Sequence, residues 1–153
     1  MKKYYLAYGS NLNVHQMKYR CPTARIVGTA VIRDYELLYK GSKTGSYLTI
    51  EKKKGSVVPV AVWEVTAADE HNLDIYEGYP NFYYKKNMKI RLSEAEKMID
   101  AFVYIMHEER RLGIPTSAYV STCKFGYTIF GFDFKYLDEA YEKSLKGVAN
   151  NEK

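Results

Sequence analysis

Four apolar or alternating stretches between residues 24 and 65 constrain the fold more than any other feature of the chain. They run Ala24–Ile32, Tyr35–Lys40, Tyr47–Glu51 and Val57–Val65. Turn-forming residues separate them at Arg33-Asp34, Gly41–Gly45 and Lys54-Gly55-Ser56. Short β-branched and aromatic runs punctuated in this way predict a meander of antiparallel strands. Further strands are expected at Lys3–Tyr8, Tyr83–Leu92 and Met98–Met106, the last two flanking the polar turn Ser93–Lys97.

Helices are expected between and after these strands. Val14–Arg20 reads as a short helix ended by Cys21-Pro22. Thr66-Ala67-Ala68-Asp69 is a capping-box start, and Gly78 with Pro80 just beyond supplies the matching stop. Two more helices are expected at about Ser117–Phe125 and Phe134–Leu145, after a loop from His107 to Pro115. A chain of 153 residues suits one compact domain, residues 1–153, of the α+β class with a curved, mostly antiparallel sheet.

Several function classes fall away. No apolar run is long enough to span a membrane, and Met1-Lys2-Lys3 is followed by no signal-peptide core, so the reading is cytoplasmic. Cys21 and Cys123 have no metal or redox spacing, and His15, His71 and His107 are isolated, so neither a metal nor a cofactor is expected. The net charge of +5 is spread along the chain, and its densest run, Lys52–Lys54, sits beside a turn signal. That pattern fits a solvated sheet edge, and nucleic acid is not the expected partner. Gly41-Ser42-Lys43-Thr44 lacks the spacing of a phosphate loop and reads as a hairpin turn.

Two places carry candidate chemistry. Strand-forming residues run into Gly9-Ser10-Asn11 and then into a helix. Such a turn either leaves backbone N–H groups converging on an anion or is a plain connection with Ser10 or Asn11 as N-cap. Glu77 closes a predicted helix among aromatic residues, where the negative helix end and the rings both disfavour its charged form. Asp74 shares nearly the same face and, if close, would raise the pKa of Glu77 further. A carboxyl group perturbed in this way suits proton transfer near neutral pH, whereas an exposed last-turn Glu would do nothing.

In order, Tyr8-Gly9-Ser10-Asn11-Leu12, Arg20-Cys21-Pro22, Leu73-Asp74-x-x-Glu77-Gly78-x-Pro80 and Pro115-x-x-x-Tyr119 resemble the γ-glutamylcyclotransferase-like (AIG2-like) superfamily, over about Tyr4 to Tyr136. Between the first and third motifs lies a strand-rich stretch ending in Val60–Val65. The resemblance implies a small mixed β-barrel with flanking helices. It implies that the loop Tyr8, Gly9, Ser10, Asn11 and Leu12 holds the α-carboxylate end of a γ-glutamyl group, that Glu77 is the catalytic acid/base, and that Tyr119 bonds in the same cavity. The implied reaction is cyclisation of a γ-glutamyl amide to 5-oxoproline with release of an amine, on a small-molecule substrate and without a cofactor. The Gly-Ser-Asn form of the loop resembles the branch acting on γ-glutamyl amino acids. Arg110 and Arg111 either border the outer pocket and favour an anionic leaving group or are solvated surface. A pocket that binds a carboxylate ligand without turnover is the other class this sequence accommodates.

Overall fold

The computed structural model describes residues 2–42 and 45–151. Its framework is a six-stranded mixed sheet curled into a half-barrel, with four helices against it. The strands are β1 (Lys3–Ala7), β2 (Arg25–Ser42), β3 (Gly45–Val65), β4 (Tyr83–Leu92), β5 (Lys97–Met106) and β6 (Arg111–Leu112), in spatial order β4-β5-β1-β3-β2-β6. The helices are α1 (Val14–Arg20), α2 (Ala67–Glu77), α3 (Ser117–Phe130) and α4 (Lys135–Asn151). Every neighbouring pair of strands is antiparallel except β1 and β5, which run parallel through Tyr4↔Ala101 and Tyr5↔Phe102. The first strand therefore lies inside the sheet, and its C-terminal end is delivered to the middle of one barrel rim.

The four expected strands between residues 24 and 65 are two long ones. Ala24–Ile32 and Tyr35–Lys40 join as β2, and Tyr47–Glu51 and Val57–Val65 join as β3, paired from Arg25↔Glu64 to Ser42↔Gly45. The sequence predicts turns at Arg33-Asp34 and at Lys54–Ser56, but these residues bend a single hairpin where its register shifts. Asp34 has φ 62° and Gly55 φ 87°, and the Gly55 amide donates to Asp34 Oδ1 at 3.0 Å. Residues that tolerate left-handed backbone serve a bulge as well as a turn, and a bulge strengthens the local twist. Ser42↔Gly45 pairing flanks the expected hairpin turn, whose tip, Lys43 and Thr44, lies outside the described residues.

Curvature brings the β4–β5 turn back onto β2. Ser93 N donates to Thr29 O at 2.9 Å, and the Glu94 carboxylate accepts from Thr29 N at 2.7 Å. Inside the curl lie fully buried Leu6, Ile50, Val58, Val60, Val62 and Ile105, each contributing about 1.5–3 kcal/mol through removal from water. No helix among the described residues is long and apolar enough to cross a membrane.

The helix signals act as read for α2. Thr66 Oγ1 accepts from Asp69 N at 3.2 Å while Asp69 Oδ2 accepts from Thr66 N at 3.1 Å, and Gly78 ends the helix with φ 62°. The last two helices run further than expected. Gly126 sits within α3, and it is Gly131, with φ 71°, that terminates the helix.

Candidate active site

Beyond β1 the chain passes through Tyr8 and Gly9 into a single 3-10 turn, Ser10–Leu12, and then into α1. The turn bonds Leu12 N to Gly9 O and Asn13 N to Ser10 O, both at 3.0 Å. The amides of Ser10 and Asn11 make no backbone hydrogen bond among the described residues. This is the usual state of the first N–H groups of a helical turn, and it leaves them available to an acceptor. The N-cap of α1 is neither Ser10 nor Asn11. Asn13 takes that position, its Oδ1 accepting from His15 N and Gln16 N at 3.2 Å each.

Side chains brace the turn from three directions. Asn11 Nδ2 donates to Tyr5 Oη at 2.9 Å, and Arg20 Nη1 donates to Asn11 Oδ1. Ser10 Oγ and Tyr76 Oη are 3.2 Å apart. From outside, α3 presses Gly126 onto the loop so closely that a Cβ there would lie 2.6 Å from both the carbonyl carbon and the Cβ of Leu12. Glycine permits the close approach, and the loop has no room to relax toward α3.

A cavity of about 240 Å³ opens beside this loop. Tyr8, Gly9, Ser10 and Asn11 line one wall, Glu77 and Tyr76 at the end of α2 another, and Tyr119 of α3 a third. Tyr5, Tyr83 and Tyr104 come from the sheet, with Tyr47, Leu48 and Phe82 completing the enclosure. The hydroxyl bonds are directed: Tyr8 Oη donates to Tyr104 O at 2.7 Å, Tyr83 Oη donates to Leu48 O at 2.8 Å, and Tyr119 Oη accepts from Leu48 N at 3.1 Å. Burial raises the pKa of Tyr5, Tyr8, Tyr83 and Tyr119 well above the usual phenol value, with the nearby Glu77 adding to the effect for the first three. The tyrosines are thus neutral hydrogen-bonding walls and not bases.

Glu77 is the one carboxyl group of that lining. Burial pushes its pKa up to about 8, opposed by the positive charge of Arg20. Asp74 is not the cause. Its carboxylate is turned to Lys85 Nζ at 2.9 Å and accepts from Tyr104 Oη at 2.6 Å, so a cation from β4 already balances the second acid expected beside Glu77. Among the described residues no group of three His, Cys, Asp or Glu side chains is placed to hold a metal ion.

Residues 5–121 match the family described as gamma-glutamyl cyclotransferase, AIG2-like. The chain belongs to that family. A solved gamma-glutamyl cyclotransferase superposes with TM-score 0.81 at 25% identity, over 92% of this chain and 86% of the other. An uncharacterized protein from Homo sapiens gives TM-score 0.80 at 26% identity, over 91% and 86%. YkqA from Bacillus subtilis, at 14% identity, shares the fold, with TM-score 0.76 over 94% of this chain and 54% of its own. No curated protein sequence matches the chain.

Within this gamma-glutamyl cyclotransferase-like fold, six of the seven residues singled out from sequence, Tyr8, Gly9, Ser10, Asn11, Glu77 and Tyr119, border one cavity. Leu12 does not. Its side chain is wholly buried in the core and its amide is spent on Gly9 O. Sequence reasoning passed over Arg20 as a site residue, although its guanidinium ties Asn11 to the face of the Tyr76 ring. It also missed the aromatic walls Tyr5, Tyr47, Phe82, Tyr83 and Tyr104. The one signal that pointed to them was the tyrosine count of 16, which gives no positions.

Proposed function

We propose that this protein cyclises a γ-glutamyl amide to 5-oxoproline and releases an amine, with Glu77 as the group that moves the proton. The observation that carries the reading is the placement of Glu77, its pKa raised by burial, in a tyrosine-walled cavity lined also by Ser10 and Asn11, whose amides make no backbone hydrogen bond among the described residues.

The chemistry follows from those two features. The α-carboxylate of the γ-glutamyl group accepts the free amides, which suit an anion. Fixing that end folds the substrate so that its α-nitrogen faces its own γ-carbonyl carbon, and such alignment is worth roughly 7 kcal/mol or more in favourable intramolecular systems. The nitrogen arrives as an ammonium and cannot attack until it loses a proton. Burial raises the Glu77 pKa toward that of the amine, and an adjacent ammonium favours its ionised form. Carboxylate and amine are then close enough in basicity for the proton to pass in either direction.

The ring C–N bond forms as the carbonyl becomes tetrahedral, and a neutral tyrosine hydroxyl whose proton is not already donated, such as that of Tyr119, stabilises the oxyanion. Glu77 returns that proton to the departing nitrogen, and the acyclic C–N bond breaks. The ring nitrogen gives up the second proton it brought from the ammonium and the released amine takes it up, giving 5-oxoproline and an alkylammonium with Glu77 again ionised. No net proton, electron or water is consumed. Two free, buried cysteines, their thiols pushed up by burial to about 12, suit an enzyme of the cytoplasm.

The test is 5-oxoproline release, followed by mass spectrometry, from γ-glutamyl amino acids, γ-glutamylamines and glutathione. Wild type releases it from at least one of them and Glu77→Gln, which keeps shape and removes the exchangeable proton, loses about 100-fold or more. Equal release by both proteins removes Glu77 from the reaction. Tight binding of a γ-glutamyl compound without any release makes the protein a carboxylate-binding module.

A further inference from the structure

The half-barrel leaves a seam between β2 and β4, joined at one end where Ser93 N donates to Thr29 O. β4 is the terminal strand of the sheet, with β5 on one side only, and β2 meets β6 only at Lys40 and Gly41. Beyond the Ser93 bond the seam holds a groove of about 450 Å³, which shares no residue with the tyrosine-walled cavity.

The groove exposes strand edges and not one face of the sheet. Met88, Lys89, Ile90 and Arg91 are consecutive in β4 and all border it, as do Val31, Ile32 and Arg33 of β2. Successive side chains of a strand point to opposite faces, so an unbroken run reaches one groove only along the edge of its strand. On that side the backbone of Lys86–Arg91 pairs with no strand among the described residues.

Charge in the groove has one sign. Arg33 and Lys52 stand on one bank, Lys86, Lys89 and Arg91 on the other, and no acidic side chain lines it among the described residues. Carboxylates close by in sequence are engaged elsewhere: Asp34 Oδ1 accepts from Gly55 N at 3.0 Å, Glu36 holds Lys143, and Glu51 holds Lys40. Lys89 and Arg91 meet Asp100 and Glu96 at 3.9 and 3.2 Å, but both acids are more than three-quarters exposed, and such pairs are weak. Arg33, Lys52 and Lys86 form no ion pair among the described residues. Between the cations the surface is apolar, with Val31 and Met98 left 40% and 59% exposed.

We propose that this groove docks an extended acidic segment of another protein, which adds as a strand to the free edge of β4. The edge supplies main-chain hydrogen bonds that any peptide can complete, and the side chains supply the selection. Carboxylates of the segment meet the two banks of cations, and its apolar residues cover Val31 and Met98. The free run Lys86–Arg91 sets the segment at about six residues. Nucleic acid would use the charge and leave the strand edge unpaired. Lysine on an edge deters pairing between sheets, and here the one-signed charge repels a basic strand while admitting an acidic one. The inference does not depend on the cyclotransferase reading.

The probe is a fluorescent hexapeptide in which glutamate alternates with valine, titrated at low salt into the intact protein and followed by anisotropy. It is compared with a peptide carrying lysine for glutamate, and with one N-methylated at two adjacent central amides, which blocks both edges of the strand. Wild type binds the acidic peptide saturably and each of the other two at least about tenfold more weakly. Arg33→Gln combined with Lys89→Gln, one exposed cation from each bank, melts with wild type and binds the acidic peptide about tenfold more weakly, the scale of two exposed charge pairs. No saturable binding of the acidic peptide, or binding that the double substitution leaves unchanged, overturns the site. Equal binding of the N-methylated peptide overturns strand addition. A single-stranded oligonucleotide that displaces the acidic peptide and binds more tightly overturns the assignment to a peptide.

Discussion

The guanidinium carbon of Arg20 lies 3.5 Å from the centre of the Tyr76 ring, joining the last residue of α1 to the penultimate residue of α2. The same group donates to Asn11, so one side chain connects the loop proposed to hold the substrate carboxylate with the helix end that carries Glu77. Its positive charge is the one influence that pulls the Glu77 pKa down against burial. Arg20→Met removes that pull. The Glu77 pKa then rises above 8, and the acid limb of the kcat/KM profile moves to higher pH by about 0.5–1 unit, the scale of a single partly screened charge. Activity at pH 7 falls about three- to tenfold in step, and a pH–rate series in wild type and variant reads both. An unmoved limb would mean that Arg20 only braces the loop.

The raised pKa also makes a statement about stability. A group whose pKa is higher in the folded chain than in the unfolded one binds more protons when folded, so stability falls as pH rises between the two values. For Glu77 that window runs from the ordinary carboxylate value of 4.5 to about 8. Glu77→Gln abolishes the penalty. The variant is expected to melt with wild type near pH 4 and to be more stable than wild type near pH 9, by at least about 1 kcal/mol, since one pKa unit corresponds to about 1.4 kcal/mol. Thermal melts at the two pH values check the sign, and a constant difference across pH contradicts it.

Local signals carried α2 because its ends are local chemistry: the Thr66–Asp69 box and the left-handed Gly78 each involve residues within a few positions. The long hairpin was harder to read. Asp34 and Gly55 have the residue types of a turn, but whether such residues reverse a chain or bend it depends on a partner strand about 20 residues away. A non-local partner also hid the balance of charge around Asp74, since Lys85 belongs to β4 and not to the same helix. The site was legible where a contiguous motif builds it, at Tyr8–Asn11 and Glu77. Its aromatic walls come from β1, β3, α2, β5 and the start of β4, and the sequence does not say which tyrosines share a cavity.

Tyr119 offers a cleaner test of the wall. Its hydroxyl accepts the Leu48 amide at 3.1 Å and stands 3.4 Å from the position a Gly9 Cβ would occupy. Tyr119→Phe leaves that amide without its acceptor in a buried setting, a cost of about 1–3 kcal/mol. The lining also loses a neutral hydroxyl near the loop, and KM for a γ-glutamyl substrate is expected to rise several-fold. Urea unfolding and steady-state kinetics measure the two effects separately. A loss of stability with unchanged kinetics would confine Tyr119 to holding β3.

Gly126 tests whether the loop must be held where it is. A Cβ at this position would lie 2.6 Å from the Leu12 carbonyl carbon and 2.8 Å from Asn13 N, distances that backbone atoms cannot yield without moving the 3-10 turn or α3. Alanine is a better helix former than glycine by about 1 kcal/mol, so in an open helix Gly126→Ala would stabilise. Here the clash outweighs that gain, and overpacking of this kind costs about 1–3 kcal/mol. Displacing the turn moves the Ser10 and Asn11 amides relative to Glu77, which belongs to α2 and not to the displaced segment. Gly126→Ala is therefore expected to lower kcat/KM more than its loss of stability explains, at temperatures well below its melting transition where the protein remains folded. Stability by urea titration and 5-oxoproline release at such a temperature decide it. A variant as stable and as active as wild type would show that the turn tolerates movement, and that its fixed geometry is not what aligns the substrate.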